Sequence, residues 1–294
     1  MPSKKLENLP KNTELEKEPS SEVVLKFFQH SKKEKNPTKD DTEIRLTLEG
    51  KKLAFSQEGS ADLKQSLAFG SPRKRAQETA ALKMVAGEKS MTGEESLEDL
   101  KAILDKDIGY GSKVAVDSRL DFYLEPGLEF EKKAEEAYVE GRLMRFFVEE
   151  SDDLAKEVGD DVSSTYSRSA KGIAEIMKKY LTVAANWDRI AEDTHKENKT
   201  LERFFSTHQS VPESFLAKVI EKIKGVEERN KFIDLINGQG FDFVDGYEVK
   251  ILSYPDQETK ILISYKKARE GQEPYVFEEE IDKGLLEEII KEGK

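Results

Sequence analysis

The chain has 294 residues, 36% of them hydrophobic and 9% aromatic, enough for one large domain or two ordinary ones with a real core. Its 60 acidic residues outnumber 48 basic ones and leave a net charge of -12 with the signs interspersed, which argues against a nucleic-acid partner. No cysteine is present, which rules out a disulfide scaffold, thiol catalysis and Cys-based zinc sites, leaves metal chemistry little to stand on, and fits a reducing compartment. No apolar run approaches the roughly 20 residues that span a bilayer, and the first 21 residues lack the apolar centre of a signal peptide. The expectation is a cytoplasmic protein with no membrane partner.

Residues 1–20, rich in Lys, Glu, Pro, Asn and Ser, read as a flexible polar tail. Folding starts at EVVLKFF (22–28), a β-branched and aromatic run that suits a buried strand. TLEGKKLAFSQE follows as a helix with Thr47 as its N-cap. QSLAFGSP (65–72) predicts a second short strand ending in a turn, and RKRAQETAALKMVAG a helix closed by Gly87. KVAVDSRLDFYLE (113–125) is strand-like.

Over 128–191 the period changes. Ala134, Ala137, Tyr138, Met144 and Phe147, then Ile173, Ile176, Met177, Tyr180, Ala184 and Trp187, fall at helical spacing. Two long amphipathic helices joined by EVGDDVSSTYSRSAKG are predicted, a helical insertion packed beside the sheet. Strand, turn and helix return in TLERFFSTHQSVPESFLAKVIEKI (200–223). GYEVKILSY and TKILISYKK then form a hairpin across PDQE, and the acidic end supplies a short strand and a helix with Leu285, Leu286, Ile289 and Ile290 on one face.

Chemistry gathers at strand ends. His30 follows the first strand, Arg75 the second, and His208 the strand over 200–207. Open α/β sheets bind ligands outside the carboxyl ends of their strands, so the three converge on one crevice. Two imidazoles and a guanidinium suit phosphoryl transfer: one imidazole attacks phosphorus, the other hydrogen-bonds the group, and the fork grips two oxygens. His195, in a polar connector, reads as surface.

These segments, in this order, resemble the histidine phosphatase superfamily, which includes cofactor-dependent phosphoglycerate mutases. Gln29-His30-Ser31 stands where that family has Arg-His-Gly, and Asn36 lies six residues after the histidine, where the family often has Asn. LTLEGKKLA (46–54) matches Leu-Thr-x-x-Gly-x-x-x-Ala, SPRKRAQETA (71–80) matches Ser-x-x-x-Arg-Ala-x-x-Thr-Ala, and His208 supplies the second histidine.

The resemblance implies an α/β fold, a three-layer α/β/α sandwich with a mostly parallel central sheet, carried by a single domain over 21–294. It implies His30 as the phosphorylated nucleophile with Arg75 and His208 around the phosphoryl group. Gln29, Ser31, Asn36 and Gln209 fall at substrate-side or phosphate-side positions. No cofactor is implied, and the partner is a small phosphorylated substrate; the oligomeric state stays open.

The family's proton donor is an acid after the third strand. Asp121, Glu125 and Glu129 compete for that role, Glu125 first, because Phe122 takes the strict motif position. Gln209 stands where another branch of the family has its acid.

Gln29 removes a fixed charge and a bidentate contact, about 1.5–3 kcal/mol as a charged hydrogen bond, and Ser31 adds a Cβ to a turn that approaches phosphate. Two functions remain. One is a phosphomonoester hydrolase working through a phosphohistidine. The alternative is an impaired member that binds a phosphorylated ligand or a protein. A phosphoglycerate-type mutase is a weaker third.

Overall fold

A computed structural model describes residues 18–36, 38, 40–106, 111–193, 198–255, 258–269 and 271–294. The expected tail up to residue 17, His195 and the Asp256-Gln257 tip of the hairpin lie outside the described residues.

The chain runs β1 (Ser21–Gln29), α1 (Leu48–Phe55), β2 (Ser66–Gly70), α2 (Lys74–Met84), α3 (Leu97–Leu104) and β3 (Val114–Val116). The insertion follows as α4 (Glu129–Val139), α5 (Leu143–Phe146), α6 (Asp152–Val158) and α7 (Tyr166–Asp193). It continues through β4 (Thr200–Thr207), α8 (Val211–Lys224), α9 (Val226–Leu235), β5 (Gly246–Ser253), β6 (Lys260–Arg269), β7 (Gln272–Ile281) and α10 (Lys283–Glu292).

One seven-stranded sheet has the order β3-β2-β4-β1-β5-β6-β7. Its first four strands are parallel, and β5, β6 and β7 add an antiparallel meander. Period-2 alternation splits β1 and β4 between two cores. Val23, Leu25, Phe27 and Phe205 face the core shared with the insertion and α8 to α10, whereas Phe28 and Phe204 face the core under α1 to α3. Helices therefore cover both faces, the expected α/β/α sandwich.

The insertion departs from two long helices. Gly141, at φ 75°, ends the first after α4, and α5, a five-residue π turn (Phe147–Ser151) and α6 follow. The Met144 and Arg145 N–H groups at the start of α5 donate to the Gly238 carbonyl, which gives that short helix a non-local cap. The predicted polar joint breaks at Gly159, φ 69°, and α7 starts seven residues later. Ile173, Ile176, Met177 and Ala184 make its buried stripe.

The third predicted strand is also shorter than expected. Only Val114–Val116 pairs, at the sheet edge, because the Asp117 carboxylate accepts the Arg119 N–H and turns Ser118–Leu120 into a 3-10 helix. Among the described residues no helix is long and apolar enough to cross a membrane.

Candidate active site

Parallel pairing brings the candidate residues together. Gln29 pairs with Thr207 and Gly70 with Ser206, so β1, β4 and β2 end level with one another. The His30 N–H extends the ladder, donating to the Thr207 carbonyl at 2.8 Å. His208 and Arg75, in the first turn of α2, open on the same crevice. A Cβ at Gly70 would lie 2.5 Å from the Gln77 nitrogen, so glycine is what lets α2 start this close to its strand.

The sequence motifs brace the His30 loop. A Cβ at Gly50 would overlap the Lys32 carbonyl, which fixes α1 against that loop. Ser31 donates its hydroxyl to the Gly50 carbonyl at 2.7 Å and its N–H to the Thr79 hydroxyl at 3.0 Å. Glu78, buried on α2, accepts the Leu46 N–H at 2.9 Å, joining the two helical motifs. Ser31 is thus fully buried, its hydroxyl turned toward α1.

At the centre, His30 Nδ1–H donates to the Ser31 carbonyl at 2.7 Å, and Arg75 Nε–H points at His30 Nε2 at 3.3 Å. Both contacts select the tautomer with its lone pair on Nε2, facing the guanidinium. The His30 and His208 rings meet edge to face with centroids 5.1 Å apart. His208 Nε2 shares a 2.7 Å hydrogen bond with the Ser71 hydroxyl. Burial, and then the Arg75 cation, lower the His30 pKa to about 3; burial, His30 and the neighbouring guanidinia hold His208 well below its usual range. Both imidazoles are neutral at physiological pH.

Two further charged groups belong to the site, and motif reading missed both. Asp41 takes the outer edge of Arg75, its carboxylate oxygens accepting from Nη1 and Nη2 at 3.0 Å each, and also pairs with Arg73. Arg73 donates Nε–H to Asp121 Oδ1 at 3.1 Å and reaches the Phe122 carbonyl. A second guanidinium therefore enters the cleft from position 73, while the strand end carries the neutral amide of Gln29. The cluster of three basic residues in SPRKR was the available signal for Arg73; nothing local marks Asp41.

The other expected positions separate. Asp121 Oδ1 lies 3.8 Å from His208 Nε2. Glu125 instead accepts the Tyr123 hydroxyl at 2.7 Å and does not line the pocket, and Glu129 is exposed in the first turn of α4. Asn36 is exposed and accepts from Thr38, outside the pocket wall. Gln29 and Gln209 do line it. With its amide oriented to satisfy the Phe241 and Asp242 carbonyls, Gln29 donates to both and ties the floor of the cleft to the strap over 236–245.

The pocket holds about 750 Å³. The strap forms one wall with Gln239, Phe241 and Phe243, and Gly238, Gly240 and Val244 take positive φ to make it. Fully buried Glu213 holds the strap by accepting the Phe241 N–H at 2.6 Å, and burial pushes its pKa up to about 8. Ser210, just after His208, sits at φ 75°, a left-handed conformation that costs a non-glycine residue about 1–2 kcal/mol. The NGQG tract (237–240) was the legible mark of the strap. No group of three or more metal-ligating side chains occurs among the described residues.

A scan against protein-family models and a search of curated proteins return no match to the sequence. Among solved structures, the chain aligns with one described as mycobacterial hydrolase 2, at 12% identity and a TM-score of 0.39, covering 92% of this chain and 97% of that one. It also aligns with a phosphoserine phosphatase mutant from Entamoeba histolytica in complex with phosphoserine, at 14% identity and a TM-score of 0.35, covering 82% and 94%.

Proposed function

We propose that the protein is a phosphomonoester hydrolase of the histidine phosphatase type, with His30 as the phosphorylated nucleophile. The observation that carries this reading is the meeting of His30 Nε2, Arg75 and His208 at three parallel strand ends, with His30 held neutral and its lone pair on Nε2.

In the reaction, Nε2 attacks phosphorus and the P–O bond to the alcohol breaks. As the incoming phosphoryl group displaces the Asp41 carboxylate, Arg75 and Arg73 hold the non-bridging oxygens and offset their growing charge. Asp121, the acid beside His208, enters the first step in its protonated form, donates that proton to the leaving oxygen, and as a carboxylate then takes one back from the water that attacks the phosphohistidine. Inorganic phosphate leaves and His30 is regenerated.

Binding without turnover is the second reading. It is favoured by Asp41, whose carboxylate offsets the Arg75 charge that the transition state of turnover would draw on. Hydrolysis of an aryl phosphate from pH 4 to 8, repeated with His30→Ala, separates the two. Turnover lost in the variant supports the enzyme. Turnover that survives it removes the nucleophile, and phosphate binding with no turnover of any phosphomonoester leaves the binding reading.

A further inference from the structure

The two ends of the pocket differ in chemistry. Every cation that lines it, Lys32, Lys33, Lys35, Arg73 and Arg75, comes from the segments after β1 and β2. The opposite walls, from the segment after β3, the insertion and the strap, contribute no Lys or Arg. They offer Phe122, Leu124, Tyr138, Leu143, Phe241 and Phe243.

Two of these rings are set by the core behind them. Phe122 packs on Phe147 with centroids 5.8 Å apart, and Phe241 stacks on Tyr265 at 5.2 Å. The part-exposed face of Phe122 is therefore in place before a ligand arrives, and Phe241, 2% exposed, backs the wall from the core. Tyr138 and Phe243 form the lip, 57% and 43% exposed, large aromatic surface left facing water beside a cleft. Glu135, an exposed acid on these walls, opposes a second anionic group. A volume near 750 Å³ also far exceeds what a lone phosphoryl group fills.

We propose that this pocket selects phosphomonoesters whose alcohol portion is an uncharged, hydrophobic ring system, and discriminates against small polar or doubly anionic phosphates; the inference rests on the cationic floor being the phosphoryl site. Ring burial against Phe122, Tyr138 and Phe243 supplies the preference, because apolar groups in a fitted pocket discriminate by about tenfold to 200-fold per group.

The test uses pairs matched in leaving group and pairs that cannot react. 2-Phenylethyl phosphate and glycerol phosphate both have an alkyl alcohol as leaving group, and kcat/KM is expected to favour the first by about tenfold or more. As competitive inhibitors, naphthylmethylphosphonate is expected to bind about tenfold or more tighter than methylphosphonate, and Phe243→Ser to remove most of that gap. Equal turnover of the two esters with equal phosphonate affinities would overturn the preference and leave the hydrolase intact. Absence of turnover with the phosphonate preference kept would overturn the hydrolase and leave the pocket's selectivity standing. A Phe243→Ser variant that weakens both phosphonates equally would also count against the preference.

Discussion

The floor and the wall of the pocket are built on opposite plans. The floor sits on the parallel half of the sheet, where His30, His208 and Arg75 are each under a tenth exposed and held by strand pairing or the start of a helix. The wall sits on the insertion and the strap, where short helices, positive-φ residues and part-exposed rings predominate. Rigid strand ends keep reacting atoms within hydrogen-bond reach, whereas loops and short helices can vary without moving them. The proposed function puts chemistry in the one region and choice of substrate in the other.

Substitutions should separate the two regions. His30→Ala is expected to lower turnover by about 10,000-fold or more, since the other imidazole, His208, has its Nε2 engaged by the Ser71 hydroxyl; steady-state hydrolysis of an aryl phosphate checks it. Arg75→Ala is expected to cost about 100- to 1,000-fold in kcat, with Arg75→Lys recovering only part, because a point charge does not replace the fork. Asp121→Asn is expected to cost about 100-fold with alkyl phosphates and less with aryl ones, whose leaving oxygen needs less protonation. A loss independent of the leaving group would remove the proton-donor role.

Stability should divide in the same way. Gly50→Ala forces a Cβ into the Lys32 backbone and is expected to cost about 1–3 kcal/mol in chemical denaturation. Tyr138→Ser, at the exposed lip, is expected to stay within about 0.5 kcal/mol.

The pH dependence follows from the neutral histidines. His30 titrates near 3 when folded and near 6.5 when unfolded. Between those values the unfolded chain binds the extra proton, so stability is full above about pH 6.5 and falls as pH drops toward 3. Urea denaturation should show that slope, and His30→Ala should reduce it, His208 keeping the remainder. A protonation of the free enzyme near pH 6.5 limiting kcat/KM would contradict a His30 held neutral.

The floor was legible in the sequence because each of its parts has a local cause. A β-branched run ending in His30, a Thr47 cap and a Gly-Ser-Pro turn before Arg75 all speak within a few residues of themselves. The structure adds why Gly50 and Thr79 stand in those motifs: both brace the Ser31 backbone or its neighbour.

The rest depended on contacts distant in the chain. Asp41 meets Arg75 across 34 positions, Arg73 meets Asp121 across 48, and the strap depends on Glu213. Tyr138 fitted the helical period of a core residue yet faces the pocket, because period fixes a face of α4 and not what stands opposite it. The insertion was read as two long helices for the same reason: spacing continues through Gly141, but the backbone does not.

The central claim is the phosphohistidine. Rapid acid-free quenching of the enzyme with a radiolabelled aryl phosphate, followed by peptide mapping, tests it most directly. The account predicts alkali-stable, acid-labile phosphate on the peptide carrying His30, chased by unlabelled substrate and absent from His30→Ala. Turnover with no such label under conditions that trap an intermediate, or label that persists in the variant, would contradict it.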